Sequence, residues 1–298
     1  MRRIGLRAIR KLLRRLDSAL ATGEAQKIAE LTPSTNGCES KIDEFLSSIA
    51  MADQGAAAYF REHKQRLVRT LSLLPLGSAR SRALELGSYL HMTAALERVL
   101  GYGFARAAYY SPSLGHETKS LTIGGQLYTT EVDLFDAESH DFPYSESAFD
   151  LVLCCELIEH LIRDPMHMLL ESWRVLADNG QIVLTTPNVA SLSSVAATLE
   201  GRQNPQVFSR YPALGNADTP HVREYTPHEI GELLRSAGFE VTYLFTERLR
   251  EAQHATWVLD VLEANRFETT LRGEQMYCVA RKRGRTTVDR FPRFLYSR

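Results

Sequence analysis

Two short runs constrain the fold of this chain more than any other feature. "FDLVLCC" (149–155) and "GQIVLTT" (180–186) are nearly continuous apolar segments, and "PMHMLLESWRVLA" (165–177) stands between them with helical spacing. A strand that is apolar at successive positions is covered on both faces, which is the situation in a parallel sheet flanked by helices. The same alternation extends on both sides. "RALELG" (82–87) predicts a first strand, followed by a helix near 92–100. "FARAAYY" (104–110) and the alternating "QLYTTEVDL" (126–134) predict two more strands. Further on, "TPHEIGELLRSAG" (226–238) predicts a helix with Thr226 as N-cap, Pro227 at its first position and Gly238 past its end. "FEVTYLF" (239–245) and "EQMYCVARK" (274–282) complete the set. The pattern is that of an α/β protein with a doubly wound, mainly parallel sheet, whose ligand sites lie at the carboxyl ends of the strands.

The chain of 298 residues divides accordingly. Residues 1–22 predict a basic amphipathic helix. Residues 23–78 form a linker and helical extension, with helical periodicity from Lys41 to Leu74. Residues 79–282 form the sheet domain, with a lid-like insertion at 200–222, and 283–298 form a basic tail. Residues 1–20 and 281–298 each hold seven Lys/Arg and one Asp, so each end carries +6. With a net charge of −1 for the whole chain, −13 is left for the residues between them. An acidic body argues against nucleic acid as a partner. The basic helix suits an anionic membrane surface or a partner protein, or docks on its own domain, and its Arg-rich, acid-poor character is also that of a mitochondrial presequence. A homo-oligomer is compatible with everything in the sequence. No transmembrane span is expected. Cys38, Cys154, Cys155 and Cys278 show neither a disulfide framework nor metal spacing, which fits a reducing, cytoplasmic setting, with the inner membrane surface as the peripheral alternative.

The order of motifs is recognisable. "FPYSESAFDLVLCCELIEHLIRDPMHMLLESWRVLADNGQIVLTTPN" (142–188) and "HVREYTPHEIGELLRSAGFEV" (221–241) resemble the class I S-adenosylmethionine-dependent methyltransferases, specifically bacterial type-11-like members. The resemblance implies a seven-stranded Rossmann-like sheet with the helical extension added before it. S-adenosylmethionine is then the cofactor, and the "TPN" and "REYTP" elements resemble members that act on small molecules, sugars or glycan precursors. Methyl transfer to oxygen is the implied reaction. The alternative is a catalytically inactive methyltransferase fold serving as a scaffold or partner-binding subunit.

The resemblance also assigns residues. Family members carry an acid–x–Gly–x–Gly–x–Gly loop. Here Glu85 and Gly87 match, while Tyr89 and His91 stand at the next two glycine places. Glycine is favoured at such places because no Cβ keeps the backbone from the ligand. Glu85, Gly87 and Ser88 are thus expected at the amino-acid end of the cofactor. The acid that would bind the ribose hydroxyls is missing, and Tyr109 or Tyr110 stands in its place. Asp133 and Leu134 are expected at the adenine, and Glu156 at the end of "FDLVLCC". For the acceptor, His160 and His221 are the candidate catalytic bases. Glu156 and His160, four apart, share a face if "ELIEHL" continues as a helix. Tyr89, His91, Arg210, Tyr211, Arg223 and Tyr225 are the candidate substrate contacts. No metal is required by this reading, and "SLGHETKSLTIGG" (113–125) has no assignable role.

Overall fold

The computed structural model describes residues 35–201, 221–248, 255–283 and 288–296. The N-terminal basic helix and most of the lid-like insertion, including Arg210 and Tyr211, lie outside the described residues. Eight strands form one sheet: β1 (Arg82–Leu86), β2 (Phe104–Tyr109), β3 (Gly115–Ile123), β4 (Gln126–Leu134), β5 (Phe149–Cys155), β6 (Leu176–Pro187), β7 (Phe239–Glu247) and β8 (Gln275–Lys282). Their spatial order is β3-β4-β2-β1-β5-β6-β8-β7. The pairs from β4 to β6 are parallel, whereas β3 on β4 and β8 against both β6 and β7 are antiparallel.

The expected mainly parallel, doubly wound sheet is present, with one strand more than the seven expected. That strand, β3, comes from the unassigned stretch 113–125. It is a half-exposed edge strand, so it lacks the apolar run that betrays a buried one. Gly124 and Gly125, both with positive φ (56° and 78°), turn it into β4.

The predicted helical stretch 41–74 is two helices, α1 (Glu39–Ser47) and α2 (Gln54–Ser72). Asp53 caps the second through the Ala56 N–H at 2.9 Å. Helix α3 (His91–Arg98) follows β1, α4 (Pro165–Val175) follows β5, and α5 (Leu192–Glu200), α6 (Pro227–Ser236) and α7 (Trp257–Ala264) complete the set. In α6 the Thr226 and Glu229 side chains each accept the other's backbone N–H, a full capping box, with Pro227 in the first turn. Helix α4 stops at Val175, and β6 starts at once, four residues earlier than the apolar run at 180–186 suggests.

Both sheet faces are covered. On one, Ile42, Leu46, Phe60 and Leu71 of the extension share a core with Ala83, Met92, Leu96, Leu151, Leu153 and Val183. On the other, Cys154 meets Met168 of α4 at 3.4 Å. The described residues thus form one compact unit that includes α1 and α2. All four cysteines are free thiols, and burial pushes Cys154, Cys155 and Cys278 well up. At the C-terminus, Arg290 and Tyr296 bind Asp164, the N-cap of α4, at 3.0 and 2.6 Å. Part of the basic tail is therefore docked on the domain. Among the described residues, no helix is long and apolar enough to cross a membrane.

The extension is tied to the sheet by charge as well as by packing. Arg66 of α2 is buried and reaches Glu156, just past β5, at 2.8 Å. Thr185 of β6 and Gln275 of β8 donate to the other oxygen of that carboxylate, both at 2.8 Å. Removing one partner of a buried pair leaves the other charge uncompensated. We therefore expect Arg66→Met to lower unfolding free energy by about 3 kcal/mol in urea denaturation. The double variant Arg66→Met/Glu156→Gln should recover much of that loss.

His91 begins α3 against Phe60 of α2, ring centroids 5.2 Å apart. Burial lowers its pKa from the ordinary 6.5 to about 4. The unfolded chain therefore binds more protons between those values, and stability falls as pH is lowered through that window. His91→Gln should flatten this limb of a pH–stability curve, and an unchanged limb would refute the assignment.

Candidate functional site

A cleft of about 170 Å³ opens at the carboxyl ends of the central strands. It is bounded by Leu86 and Gly87 at the end of β1, Ala108 to Tyr110 at the end of β2, Phe135 to Glu138 after β4, and Glu156, Leu157 and His160 to Arg163 after β5, with Tyr89 at its rim. The chain leaves β1 toward β2 on one side and returns to β5 on the other. The crevice thus stands at the point where strand order reverses, the place an open α/β sheet reserves for ligands.

Gly87 makes the turn into the cleft with φ of 70°. A side chain there would be strained, and its Cβ would lie 3.5 Å from Leu157. The rest of the loop turns inward. Ser88 is buried, its N–H donates to the Ala108 carbonyl at 2.9 Å, and its hydroxyl donates to Glu85 at 2.8 Å. The Leu90 N–H donates to the Ser88 hydroxyl at 2.9 Å, while Leu90 itself takes a φ of 70°. Glu85 also accepts from Thr93, and burial raises its pKa. Glu85 and Ser88 therefore brace the turn from behind and do not line the cleft.

Of the other expected cofactor residues, Tyr110 and Glu156 line the cleft and Asp133 and Leu134 do not. The Asp133 carboxylate is taken by the Tyr144 hydroxyl at 2.7 Å and by Arg106 at 3.2 Å. The acid that reaches the cleft from this strand is Asp136, two residues beyond β4, which the sequence reading passed over. Asp136 accepts from the Glu138 N–H and the Ser139 hydroxyl, and Glu138 in turn accepts from the N–H groups of Ile162, Arg163 and Asp164. The "DAES" turn is a local signal that could have flagged it, since acids followed by small polar residues bond their own backbone.

The helix expected at "ELIEHL" is a single 3-10 turn, Ile158–His160. Glu156 precedes it with φ of 50°, so Glu156 and His160 do not share a continuing helical face. Glu156 lines the cleft floor, but its carboxylate is held by Arg66, Thr185 and Gln275. Glu159, which the sequence placed beside His160 without a role, is fully buried. Burial, with the Glu156 carboxylate as the next cause, pushes its pKa well above the carboxylate range.

His160 lines the cleft, and His221 packs edge-on against it with ring centroids 4.9 Å apart. The chain brings His221 there through backbone bonds: the N–H groups of Val222 and Arg223 both donate to the Glu159 carbonyl, at 2.8 and 3.2 Å.

Among the expected substrate residues, Tyr89 is exposed at the cleft mouth beside the equally exposed Tyr110, and Tyr89 meets Tyr109 edge-on at 5.8 Å. His91 faces α2 instead, as described above. Arg223 pairs with Glu229 at 2.6 Å and lies over the ring of Tyr225, which is buried. These last three are bound up in packing and in the cap of α6, and none of them lines the cleft.

The residues present suit a nucleoside carrying a charged amino-acid tail. Tyr89, Tyr109, Tyr110 and Phe135 offer aromatic faces to a base, and Asp136 and Glu138 bring acids to that end. The positive-φ turn at Gly87 leaves room that a side chain would fill. A family model described as a methyltransferase domain matches residues 57–244. A protein of Mycolicibacterium smegmatis described as a probable S-adenosylmethionine-dependent methyltransferase is 31% identical over 110 residues, which is 37% of this chain and 36% of that relative's length. Among solved structures, an S-adenosylmethionine-dependent methyltransferase of Archaeoglobus fulgidus is 16% identical over 76% of this chain and 99% of its own, with a TM-score of 0.46. One from Thermotoga maritima is 17% identical over 76% and 94%, with a TM-score of 0.45. With the domain model covering more than half of its length, the chain belongs to the class I S-adenosylmethionine-dependent methyltransferase family.

Proposed function

We propose that this chain transfers a methyl group from S-adenosylmethionine to an oxygen of a small molecule, sugar or glycan precursor. The observation that carries the reading is the cleft at the strand-order reversal, opened by the left-handed turn at Gly87. Tyr110 and Asp136 would hold the adenosine, and the Gly87 turn with Leu157 and Glu156 would border the methionine end. When bound, the cofactor supplies a methyl group already activated by its sulfonium. The protein's part is to align an acceptor with that carbon and to keep water away. His160, which lines the cleft, and His221, which packs against it, are the groups that would act on an acceptor hydroxyl.

The tyrosines in place of a ribose-binding acid weaken this end without emptying it. A phenol can donate one hydrogen bond and stack, but it lacks the two acceptor oxygens of a carboxylate. The difference is on the order of 2 kcal/mol by analogy with hydrogen bonds to charged groups.

Calorimetric titration with S-adenosylmethionine and S-adenosylhomocysteine tests the reading. We expect micromolar binding, weakened at least tenfold by Gly87→Arg and several-fold by Tyr110→Ala. No heat and no thermal shift at millimolar ligand would overturn it in favour of a scaffold that binds no cofactor. That alternative has one observation behind it: the N–H groups of Ser88 and Leu90 are already spent inside the loop.

A further inference from the structure

We propose that Glu159, His160 and His221 form a binding site for a divalent transition-metal ion of the manganese-to-zinc series, beside the acceptor end of the cleft. One carboxylate oxygen of Glu159 and one ring nitrogen of each histidine lie within 4.8 Å of one another. Donors sharing an ion at about 2.1 Å stand about 3–3.5 Å apart. Both histidines are half-buried.

Three independent features of the surroundings favour an ion here. The first is Glu159 itself. It is fully buried, one of its oxygens accepts from the Thr186 hydroxyl at 2.8 Å, and the other has no hydrogen-bond partner. A buried carboxylate oxygen left unpaired is costly, and a cation is one of the few groups that removes that cost. The second is the support behind His221. Its Nδ1 lies 3.0 Å from a carboxylate oxygen of Glu224, a buried side chain. In the tautomer that donates Nδ1–H to that carboxylate, Nε2 keeps its lone pair for a metal. A carboxylate behind a histidine is the common outer-shell arrangement at metal centres. The third is the backbone clamp from Val222 and Arg223 to the Glu159 carbonyl, which fixes the distance between two segments far apart in sequence.

The donor set indicates which metal. Two imidazoles and one carboxylate suit Mn2+, Fe2+, Co2+ or Zn2+, whereas Mg2+ and Ca2+ favour all-oxygen shells. Three protein donors leave positions for outside ligands, and His160 faces the cleft. An acceptor with adjacent oxygen donors, such as a vicinal diol or a hydroxy-carbonyl compound, would be held there with its hydroxyl made more acidic. That role for the acceptor rests on the methyl-transfer reading, whereas metal binding itself does not.

The test uses the full chain, freed of metal by chelation and then titrated calorimetrically with Mn2+ and with Zn2+. Mg2+ and Ca2+ are run in parallel, and S-adenosylhomocysteine is titrated into the same samples. One equivalent of Mn2+ or Zn2+ should bind, with affinity lowered at least tenfold by Glu159→Gln and by His221→Asn. Glu224→Gln, behind the ligand, should weaken binding about tenfold. His228→Asn should change nothing. His221 is half-exposed, so its variant remains informative if Glu159→Gln fails to fold. Absence of saturable binding would overturn the site, as would a wild-type affinity in His221→Asn or an equal loss in His228→Asn. Nucleoside binding without metal would refute this inference alone. Metal binding without nucleoside would support the site and refute the proposed function.

Discussion

The buried contact between Arg66 and Glu156 is the interaction on which the remaining structure depends. Glu156 stands where β5 ends and the cleft begins, in a backbone conformation that a non-glycine residue seldom adopts. Its N–H donates to the Thr185 carbonyl at 2.9 Å, and its carboxylate gathers Arg66, Thr185 and Gln275. One side chain thereby joins the N-terminal extension, β5, β6 and β8. A charge-assisted network of this kind is strong when complete and costly when broken, because the local dielectric is low. The turn after Glu156 inherits its position from that network, and Leu157 and His160 enter the cleft from it.

The first strand and its turn follow a different rule. The loop after β1 keeps one glycine for the left-handed turn and fills the next two places with Tyr89 and His91. Their side chains go in opposite directions, Tyr89 to the rim of the cleft and His91 onto Phe60 of α2. The extension thus occupies the ground that bare backbone would otherwise leave open, and Ser88 locks the turn by bonding to Glu85 and to the Ala108 carbonyl. The loop is braced from within by its own polar groups. Much of the charged and aromatic lining comes instead from the ends of β2 and β4 and from the turn after β5.

The second half of the site is assembled by a backbone clamp. Glu159 presents its carbonyl to the N–H groups of Val222 and Arg223, and this brings His221 against His160. The capping box of α6 and the Arg223–Glu229 pair hold the segment from the other side. The chemistry of this corner depends on two short stretches whose separation in sequence gives no hint that they meet.

The sequence by itself determined the mainly parallel sheet, most of its strands, the caps of α6 and the turn at Gly87. These follow from local rules: apolar continuity for strands covered on both faces, side-chain oxygens for free helical N–H groups, and a positive φ that only glycine adopts without strain. The edge strand β3 escaped, because a half-exposed strand carries no such run. Among site residues, Gly87, Tyr110, Glu156 and His160 were legible from their places after strands. Asp133 could not be told from Asp136 in sequence, since either carboxylate stands near the end of the same strand. Tertiary structure alone decided that Tyr144 and Arg106 take the first and leave the second at the cleft. It alone decided that Arg66 neutralises Glu156 and that Glu159 is buried with an unpaired oxygen beside two histidines. Those outcomes rest on contacts between residues 11 to 119 positions apart, and such contacts leave no periodicity in a sequence.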